Sequence, residues 1–341
     1  MNLPPASAGI IAPAPAELPD FARLGVNLAS AGLGATALSA TDAFFAPPER
    51  MLADAPAVFH PTLFDDNGKW MDGWESRRRR GPGHDMAVVR LAAPGRILGF
   101  DVDTAHFTGN FPPACRIEAA HVDGIPAEGD WHEVLPLSPL GASAHHLMAC
   151  ASDAVWTHVR LHIHPDGGVA RLRVYGRPEM PAGGGEVELS AALNGARALG
   201  YSNAHYGAVW RLLAPGRGAN MGDGWETRRR REPGSDWIVI ALAARGTVER
   251  ALIDTCHFKG NFPDSASIQA ADMTGFGADM DRAVITASMF WEDLLPPQKM
   301  SADHIHDVTG ALTALGPVTH VRLNMHPDGG ISRLRLFGAR A

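Results

Sequence analysis

Apolar and polar residues alternate with a period of two along several short segments of this chain. In residues 157–164 the apolar Val159, Leu161 and Ile163 alternate with polar residues, which is the pattern of a β-strand with one buried face. Residues 171–175 alternate in the same way after a Pro-Asp-Gly-Gly turn, so the two segments are predicted to pair as a hairpin. Further short strands are predicted at residues 88–91, 97–104 and 116–122.

Helical patterning is scarce and is confined to residues 43–52 and 204–213. The chain contains 37 Gly and 26 Pro, many of them between the predicted strands, which is typical of proteins with many turns. Several short strands in each unit of roughly 150 residues favour a β-sandwich or jelly roll. The sequence therefore predicts an all-β protein.

The strongest pattern in the chain is an internal duplication. The sequence Asp-Gly-Trp-Glu-Ser-Arg-Arg-Arg-Arg at residues 72–80 recurs as Asp-Gly-Trp-Glu-Thr-Arg-Arg-Arg-Arg at 223–231, an offset of 151. Other segments repeat in the same order, so the chain is predicted to hold two copies of one domain. These further repeats are residues 103–112 with 254–263, and residues 157–168 with 319–330, where the offset has grown to 162.

The repeats divide the chain into predicted segments. Residues 1–20 are an Ala/Pro-rich N-terminal tail, and a stretch rich in Pro and Gly at 178–185 is a linker between the copies. The first β-sandwich is predicted at residues 21–177 and the second at 186–341.

Composition and charge exclude several classes of protein. With 45% hydrophobic and 20% charged residues the chain is globular rather than disordered, and its net charge of −7 provides no basic field for nucleic acid. The three cysteines are scattered, and no window of 18 uninterrupted apolar residues suggests a membrane span. We therefore expect a cytoplasmic protein that binds neither nucleic acid nor membrane.

Each arginine run has candidate binding chemistry. In an extended segment alternate side chains point the same way, so the side chains of Arg77 and Arg79 would lie on the same face. Such a run is a solvated face, a set of buried ion pairs, or a fork for a carboxylate. The ion pairs would use the acidic residues that flank each run, which are Glu75 and Asp85 in the first copy and Glu226 and Asp236 in the second.

A carboxylate and an imidazole stand three residues apart in both copies, just after a predicted strand. Asp103 and His106 form this pair in the first copy, and Asp254 and His257 form it in the second. The two groups are sufficient to activate water, as base and orienter or as metal ligands, but an Asp–His contact can equally hold a loop. His326, which ends a strand at the turn, could complete the second site.

These motifs resemble the signatures of allantoicases (allantoate amidinohydrolases). The resemblance rests on Lys69 to Arg78, Asp101 to Asn110, Asp223 to Arg229 and Asp254 to Pro263, and it runs from about Leu18 to the C-terminus. It implies a tandem pair of jelly-roll domains of the galactose-binding-like type. It also implies hydrolysis of allantoate to ureidoglycolate and urea in purine and allantoin degradation, and a homo-oligomer. A metal requirement does not follow from it.

Allantoate is a small anion with two ureido arms, and the repeated polar residues suit it chemically. A cation would bind its carboxylate, acceptors or amides would bind the urea N–H groups, and a third group would activate water. The predicted substrate-binding residues are Glu226, Arg228 and Asn261, with Glu75, Arg77 and Asn110 in the first copy. The predicted catalytic residues are Asp254, His257, His326, Asp103 and His106, and a divalent metal is left open.

Two other interpretations compete with a pair of working active sites. The first is a non-catalytic jelly-roll module that binds a small, carbohydrate-like molecule, since a fold does not decide function. Its weakness is that the shared residues are ionisable rather than the aromatics and amides of a sugar site. The second is that one copy has lost its chemistry and serves as a scaffold.

Overall fold

A computed structural model describes residues 9–183 and 185–341. The chain forms two compact units that divide between Glu179 and Met180. Each unit is an antiparallel β-sandwich, so the predicted all-β tandem of duplicated domains is confirmed. Among the described residues no helix combines the length and the apolar character needed to cross a membrane.

The first domain is built from short strands around one long strand. Its strands are β1 (Ile10–Ile11), β2 (Val26–Asn27), β3 (Thr36–Ala40), β4 (Val58–Phe59), β5 (Phe64–Asp65), β6 (Gly68–Lys69), β7 (Trp74–Glu75), β8 (Asp85–Asp103), β9 (Ala114–Ala120), β10 (His132–Pro139), β11 (Leu147–Ala149), β12 (Val155–His164), β13 (Gly168–Val169) and β14 (Arg171–Pro178). Its helices are α1 (Asp20–Leu24) and 3₁₀ turns at Ala31–Leu33, Pro48–Leu52 and Glu128–Asp130.

Strand β8 organises this domain because each half of it pairs with different strands. Its first half pairs with β3 and β12, and its second half pairs with β14 and β11. The main sheet runs β10-β9-β12-β8-β14-β2, with neighbouring strands antiparallel. The period of two in β12 directs Val159, Leu161 and Ile163 into the core, where they are fully buried. The opposite face of the strand therefore carries its histidines and Arg160.

The predicted hairpin between residues 157–164 and 171–175 is wrong. Both segments are strands, but β8 lies between them, and β12 and β14 pair with its two sides. The cause is the segment between them: Gly168–Val169 leaves the sheet to pair with Trp74–Glu75. The chain therefore crosses to the far side of β8 before it rejoins the sheet.

The second domain repeats this topology. Its strands are β15 (Val187–Glu188), β16 (Arg197–Tyr201), β17 (Trp225–Glu226), β18 (Asp236–Asp254), β19 (Ser265–Ala271), β20 (Glu292–Lys299), β21 (Ile305–Asp307), β22 (Val318–His326), β23 (Gly330–Ile331) and β24 (Arg333–Arg340). Its helices are α2 (Asp281–Ala287) and 3₁₀ turns at Ala192–Asn194, Val209–Leu213, Ala278–Met280, Ser288–Phe290 and Thr309–Ala311. Helix α2 and the turns next to it account for most of the increase, from 151 to 162 residues, in the offset between the two copies.

Two local expectations differ from the structure. Residues 43–52 and 204–213 hold only 3₁₀ turns, at Pro48–Leu52 and Val209–Leu213. Of the predicted N-terminal tail, residues 1–8 lie outside the described residues, but Ile10–Ile11 pairs with Val58–Phe59 and the Ala12 N–H donates to the Ala57 carbonyl at 2.8 Å. The described part of the tail is therefore a component of the first domain.

Candidate active site

Three motifs that occur in both copies come together in each domain. In the first domain the Asp166 carboxylate of the His-Pro-Asp-Gly-Gly turn accepts the Arg79 backbone N–H at 2.8 Å, which joins the turn to the arginine run. The Asn110 carbonyl of the Gly-Asn-Phe-Pro loop accepts the Gly168 N–H, also at 2.8 Å. In the second domain Asp328 accepts the Arg230 N–H at the same distance. The duplication has therefore preserved a junction of three loops.

A buried glutamate lies at this junction. Glu75 follows the fully buried Trp74 in β7 and is itself only 9% exposed. The side-chain amide of Asn110 donates a 2.6 Å hydrogen bond to Glu75 Oε1. In the second domain Glu226 is 7% exposed and accepts a hydrogen bond from the Asn261 amide. The structure thus brings together Glu and Asn, two of the three predicted substrate-binding residues, in both copies.

Burial has the largest effect on the pKa of the Glu75 carboxyl. Removal from water raises the pKa of the Glu75 carboxyl, and this outweighs the hydrogen bond from Asn110, which acts to lower it. The nearby negative charge of Asp65 raises the pKa further. Glu75 is consequently a carboxyl that binds a proton more readily than an exposed glutamate does.

A cleft opens beside Glu75. It has a volume of about 350 Å³ and is lined by Glu75, Arg78, Asn110, Phe111 and Asp166, among others. We call it the Glu75 cleft. Pockets of this size hold small molecules, and this one presents a guanidinium, carboxylates and an amide together. Its walls therefore match an anion that also carries N–H groups.

Three arginines of the first run have different acidic partners. Arg77 pairs with Asp42, with Nε 2.7 Å from Oδ2, and Arg79 pairs with the buried Asp85 at 2.5 Å. Arg78 points to the Glu75 cleft, where its Nε is 3.7 Å from Asp166 Oδ1. Arg78 is therefore better placed than the predicted Arg77 to meet a ligand in that cleft. The sequence indicates that alternate arginines lie on opposite faces, but only the structure shows that Arg78 lines the Glu75 cleft.

The second run has the same four arginines but differs from the first in one of its partners. Asn203 stands where the first domain has Asp42, and its side chain accepts the Arg228 backbone N–H and donates to Asp236. Arg230 pairs with Asp236 at 3.2 Å. Among the described residues, the Arg228 guanidinium has no acidic partner. Two further clefts, of about 440 and 360 Å³, lie along the runs, and we call them the arginine clefts.

The structure does not bring the predicted Asp–His pairs together by a hydrogen bond. Asp103 Oδ1 accepts the Ala105 N–H at 2.7 Å, while His106 Nε2 lies 3.3 Å from the Ala57 carbonyl. The His106 ring stacks on Phe59. Each partner thus holds a different part of the loop.

The second copy of the pair has the same arrangement. Asp254 accepts the Cys256 N–H and pairs with Arg217 at 3.0 Å, while His257 Nε2 lies 2.9 Å from the Gly218 carbonyl. His106 and His257 both have left-handed backbone geometry, with φ of 68° and 69°, which is uncommon for residues other than glycine. These contacts hold a turn in place.

Asp103 and Asp254, the buried aspartates of the two Asp–His pairs, have cationic neighbours on different parts of the fold. In the first domain His145 pairs with Asp101 at 2.8 Å and lies 3.9 Å from Asp103. The hydrogen bond to Asp101 raises the pKa of His145 to about 9, so this imidazole is charged at neutral pH. The sequence reasoning missed His145 because its partners lie on a strand more than 40 residues away.

The first domain also holds a hydrogen-bonded row of side chains that the second lacks. His162 Nε2 lies 2.7 Å from Glu118, and its Nδ1 lies 2.8 Å from His84 Nε2. Burial lowers the pKa of His162 to about 4. The second domain has Asn324 and Gln269 at the positions of His162 and Glu118, and its His326 lies 2.9 Å from Ser267 instead. In the described part of the chain, no group of three or more His, Cys, Asp or Glu is arranged to hold a metal ion.

Comparison with known proteins identifies the duplication. A family model described as "Allantoicase repeat" matches residues 26–179 and again 187–341. The chain is 62% identical to "Probable allantoicase" of Rhizobium meliloti (strain 1021) over 326 residues, which cover 94% of this chain and 96% of that protein. It is 53% identical to "Probable allantoicase 2" of Burkholderia pseudomallei over 95% of this chain and 97% of that one.

Solved structures agree with the sequence relatives. The crystal structure of allantoicase from Saccharomyces cerevisiae superposes with a TM-score of 0.77 at 32% identity, covering 94% of this chain and 96% of that one. A second solved allantoicase gives a TM-score of 0.79, also at 32% identity, over 94% and 97% of the two chains. Both matches span the two domains.

Proposed function

Because the chain belongs to the allantoicase family, we propose that the junction of its three repeated motifs is where it hydrolyses allantoate to ureidoglycolate and urea. The chain is a hydrolase, and the non-catalytic carbohydrate-like binding module is not favoured. The observation that supports this location is the buried Glu–Asn pair, which occurs in each domain and which in the first domain lies beside a cleft that also contains Arg78. The reaction breaks a C–N bond, so the site must hold the substrate and move one proton.

The residues of the Glu75 cleft divide the substrate between them. Arg78 binds the carboxylate, because a guanidinium fork matches two carboxylate oxygens. The carbonyl oxygen of the Asn110 amide accepts an N–H group from a ureido arm, and Glu75 lies beside that arm. In the second domain Glu226 and Asn261 have the equivalent positions, and Arg228 lines one of the arginine clefts.

The Asp–His pairs remain a prediction from the sequence. Asp254 and His257, with His326 nearby, and Asp103 with His106 were expected to activate water. Their contacts support a role in holding loops instead, since each carboxylate accepts a backbone N–H and each imidazole lies against a backbone carbonyl.

Other properties also remain proposals. We propose that the enzyme works as a homo-oligomer in the cytoplasm and needs no partner beyond its small-molecule substrate. The assay below also tests for a divalent metal, by chelation and dialysis.

The defining experiment is a urea-release assay with allantoate as substrate, before and after chelation and dialysis. Release of one urea per allantoate consumed, with ureidoglycolate as the other product, supports the function. Loss of activity on chelation, restored by a divalent ion, would add a metal to the site. An enzyme that binds allantoate but releases no urea would contradict the proposal.

A further inference from the structure

Nearly every buried carboxylate in the described residues has a cationic partner. Nine aspartate and glutamate side chains are buried. Seven of them lie within 4.0 Å of an arginine or histidine nitrogen: Asp85, Asp101, Asp103, Glu118, Asp166, Asp236 and Asp254. The other two are Glu75 and Glu226, for which the described residues provide no such partner. The two exceptions occupy the same position in the two domains.

Leaving a buried carboxylate without a counter-charge is costly. Ionised groups lose their hydration on burial, and proteins normally compensate with an ion pair or several hydrogen bonds. Glu75 Oε1 accepts one hydrogen bond from a neutral amide, and Oε2 accepts none from a described residue. Both domains retain this unfavourable arrangement. In the first domain it lies at the wall of the Glu75 cleft, and buried ionisable groups in clefts commonly have a functional role.

From this geometry we propose that Glu75 and Glu226 are the catalytic bases of the two domains, an inference that rests on the proposed function. Each glutamate has a carboxylate oxygen to which no described residue donates a hydrogen bond, and Glu75 lines a cleft that can hold the substrate. The Asn110 amide fixes the orientation of the carboxylate through Oε1. The carboxylate therefore has one oxygen for positioning and one for the proton.

A single carboxylate can carry out both proton transfers of the reaction. As the water oxygen bonds to the central carbon of allantoate, Glu75 Oε2 takes one proton from the water. The bond from that carbon to one ureido nitrogen breaks, and its electron pair stays on the nitrogen. The protonated Glu75 then returns the proton to this nitrogen, which leaves as urea. The products are ureidoglycolate and urea, and no oxidant, reductant or second acid is consumed.

The charges around Glu75 suit this cycle. Asp65 and the burial of the carboxyl favour its protonated form, and the Asn110 hydrogen bond favours the ionised form. Arg78 and Asp166 also line the cleft, as a pair of opposite charge. A base with an elevated pKa holds the proton more firmly during bond cleavage.

Asp254, the aspartate of the second Asp–His pair, is a poorer candidate for this role. Asp254 already accepts the Cys256 N–H and two nitrogens of the Arg217 guanidinium. Both carboxylate oxygens of Asp254 therefore already have protein partners, and neither is free to contact a water molecule in the way proposed for Glu75 Oε2.

The test uses the full-length enzyme with glutamine replacing each glutamate. Glu75→Gln, Glu226→Gln and the double variant keep the size of the side chain and its contact with the asparagine. Glu118→Gln is the matched control, because Glu118 is a buried glutamate outside the cleft whose counterpart in the second domain is already Gln269. We expect the double variant to lose at least about a hundredfold in kcat, with KM changed by less than about threefold, while the control retains its activity.

A second set of variants tests the inference even if the glutamine variants fold poorly. Glu75→Ala with Glu226→Ala opens space for a small carboxylate, and added formate should restore activity as it replaces the missing base. A double glutamine variant that is folded and nearly as active as wild type would overturn the inference. Wild-type enzyme that releases no urea from allantoate would instead overturn the proposed function, so the two failures are distinguishable.

Discussion

The Asn110 amide donates a 2.6 Å hydrogen bond to the buried carboxylate of Glu75, and it is the only side-chain hydrogen bond that the described residues provide to that carboxylate. The same contact joins Asn261 to Glu226 in the second domain. Both asparagines lie in Gly-Asn-Phe-Pro loops, whose sequence alone is equally consistent with a simple turn. In the folded domain the loop has a further role, since it orients an ionisable group at the wall of a cleft.

Removing this amide should change the ionisation of Glu75. The hydrogen bond favours the charged carboxylate, so Asn110→Ala should raise the pKa of Glu75 above its already elevated value. A general base is active only when ionised, and the acid limb of the kcat profile should therefore move to higher pH. We expect Asn110→Ala to show this shift in a pH–rate profile. If kcat instead falls equally at all pH values and the acid limb stays in place, the amide orients the Glu75 carboxylate but does not set its pKa.

The position of the arginines predicts an unequal response to substitution. Arg78 lines the Glu75 cleft, whereas Arg77 is already paired with Asp42. Arg78→Lys keeps the charge but loses the fork, which should cost on the order of 1–3 kcal/mol, or tenfold and more, in kcat/KM. Arg77→Lys is the control and should have a smaller effect. Equal losses in the two variants would contradict the assignment of Arg78 to the carboxylate.

The second domain allows a parallel comparison. Arg228 has no acidic partner among the described residues, because Asn203 replaces Asp42. Arg228→Lys should therefore reduce kcat/KM more than Arg77→Lys does. The measurement is steady-state kinetics on the full chain with allantoate. A larger effect for Arg77→Lys would indicate that only the first domain binds substrate through the predicted arginine.

His257 offers a test of the Asp–His interpretation. Its Nε2 lies 2.9 Å from the Gly218 carbonyl, and its backbone N–H donates to Asp303. We expect His257→Ala to lower the melting temperature, since it removes a contact that holds a left-handed turn, while the specific activity of the folded enzyme changes little. A loss of about a hundredfold in kcat at unchanged stability would restore His257 as a catalytic group. His106→Ala is the matched variant in the first domain.

The sequence predicts the architecture well because the signals for it are local and repeated. The alternation in residues 157–164 places Val159, Leu161 and Ile163 in the core, as the structure confirms. The hairpin prediction failed for a non-local reason, since β8 inserts between two strands that are adjacent in sequence. Short-range turn chemistry contains no information about which distant strand will fill that place.

The candidate site was only partly predictable for the same reason. Repetition identified Glu75, Asn110 and their counterparts, and the structure brings them into contact. The Asp–His spacing suggested a pair that the structure does not bond, because Asp103 and His106 occupy a turn in which their side chains diverge to the Ala105 N–H and the Ala57 carbonyl. The row of His84, His162 and Glu118 was missed because its members lie on three different strands or loops.

The charged His145 predicts a stability difference at alkaline pH. Its hydrogen bond to Asp101 raises the pKa of His145 in the folded protein to about 9, above the ordinary value of about 6.5. A group whose pKa rises on folding stabilises the folded state fully below its unfolded pKa, and this stabilisation is lost as the pH rises through the folded pKa. The contribution of His145 should therefore be present at pH 6 and should disappear between pH 6.5 and about 10.

The second domain provides the substitution for this test. Leu252 and Ile305 occupy the positions of Asp101 and His145, in the equivalent pairing of the short strand with the long one. Asp101→Leu with His145→Ile replaces the ion pair by the apolar pair that the fold already accommodates. The melting temperature of the wild type should fall relative to that of the double variant as the pH rises from 6.5 to 10. Because other titrating groups are common to both proteins, parallel curves would show that His145 is not charged in the folded domain.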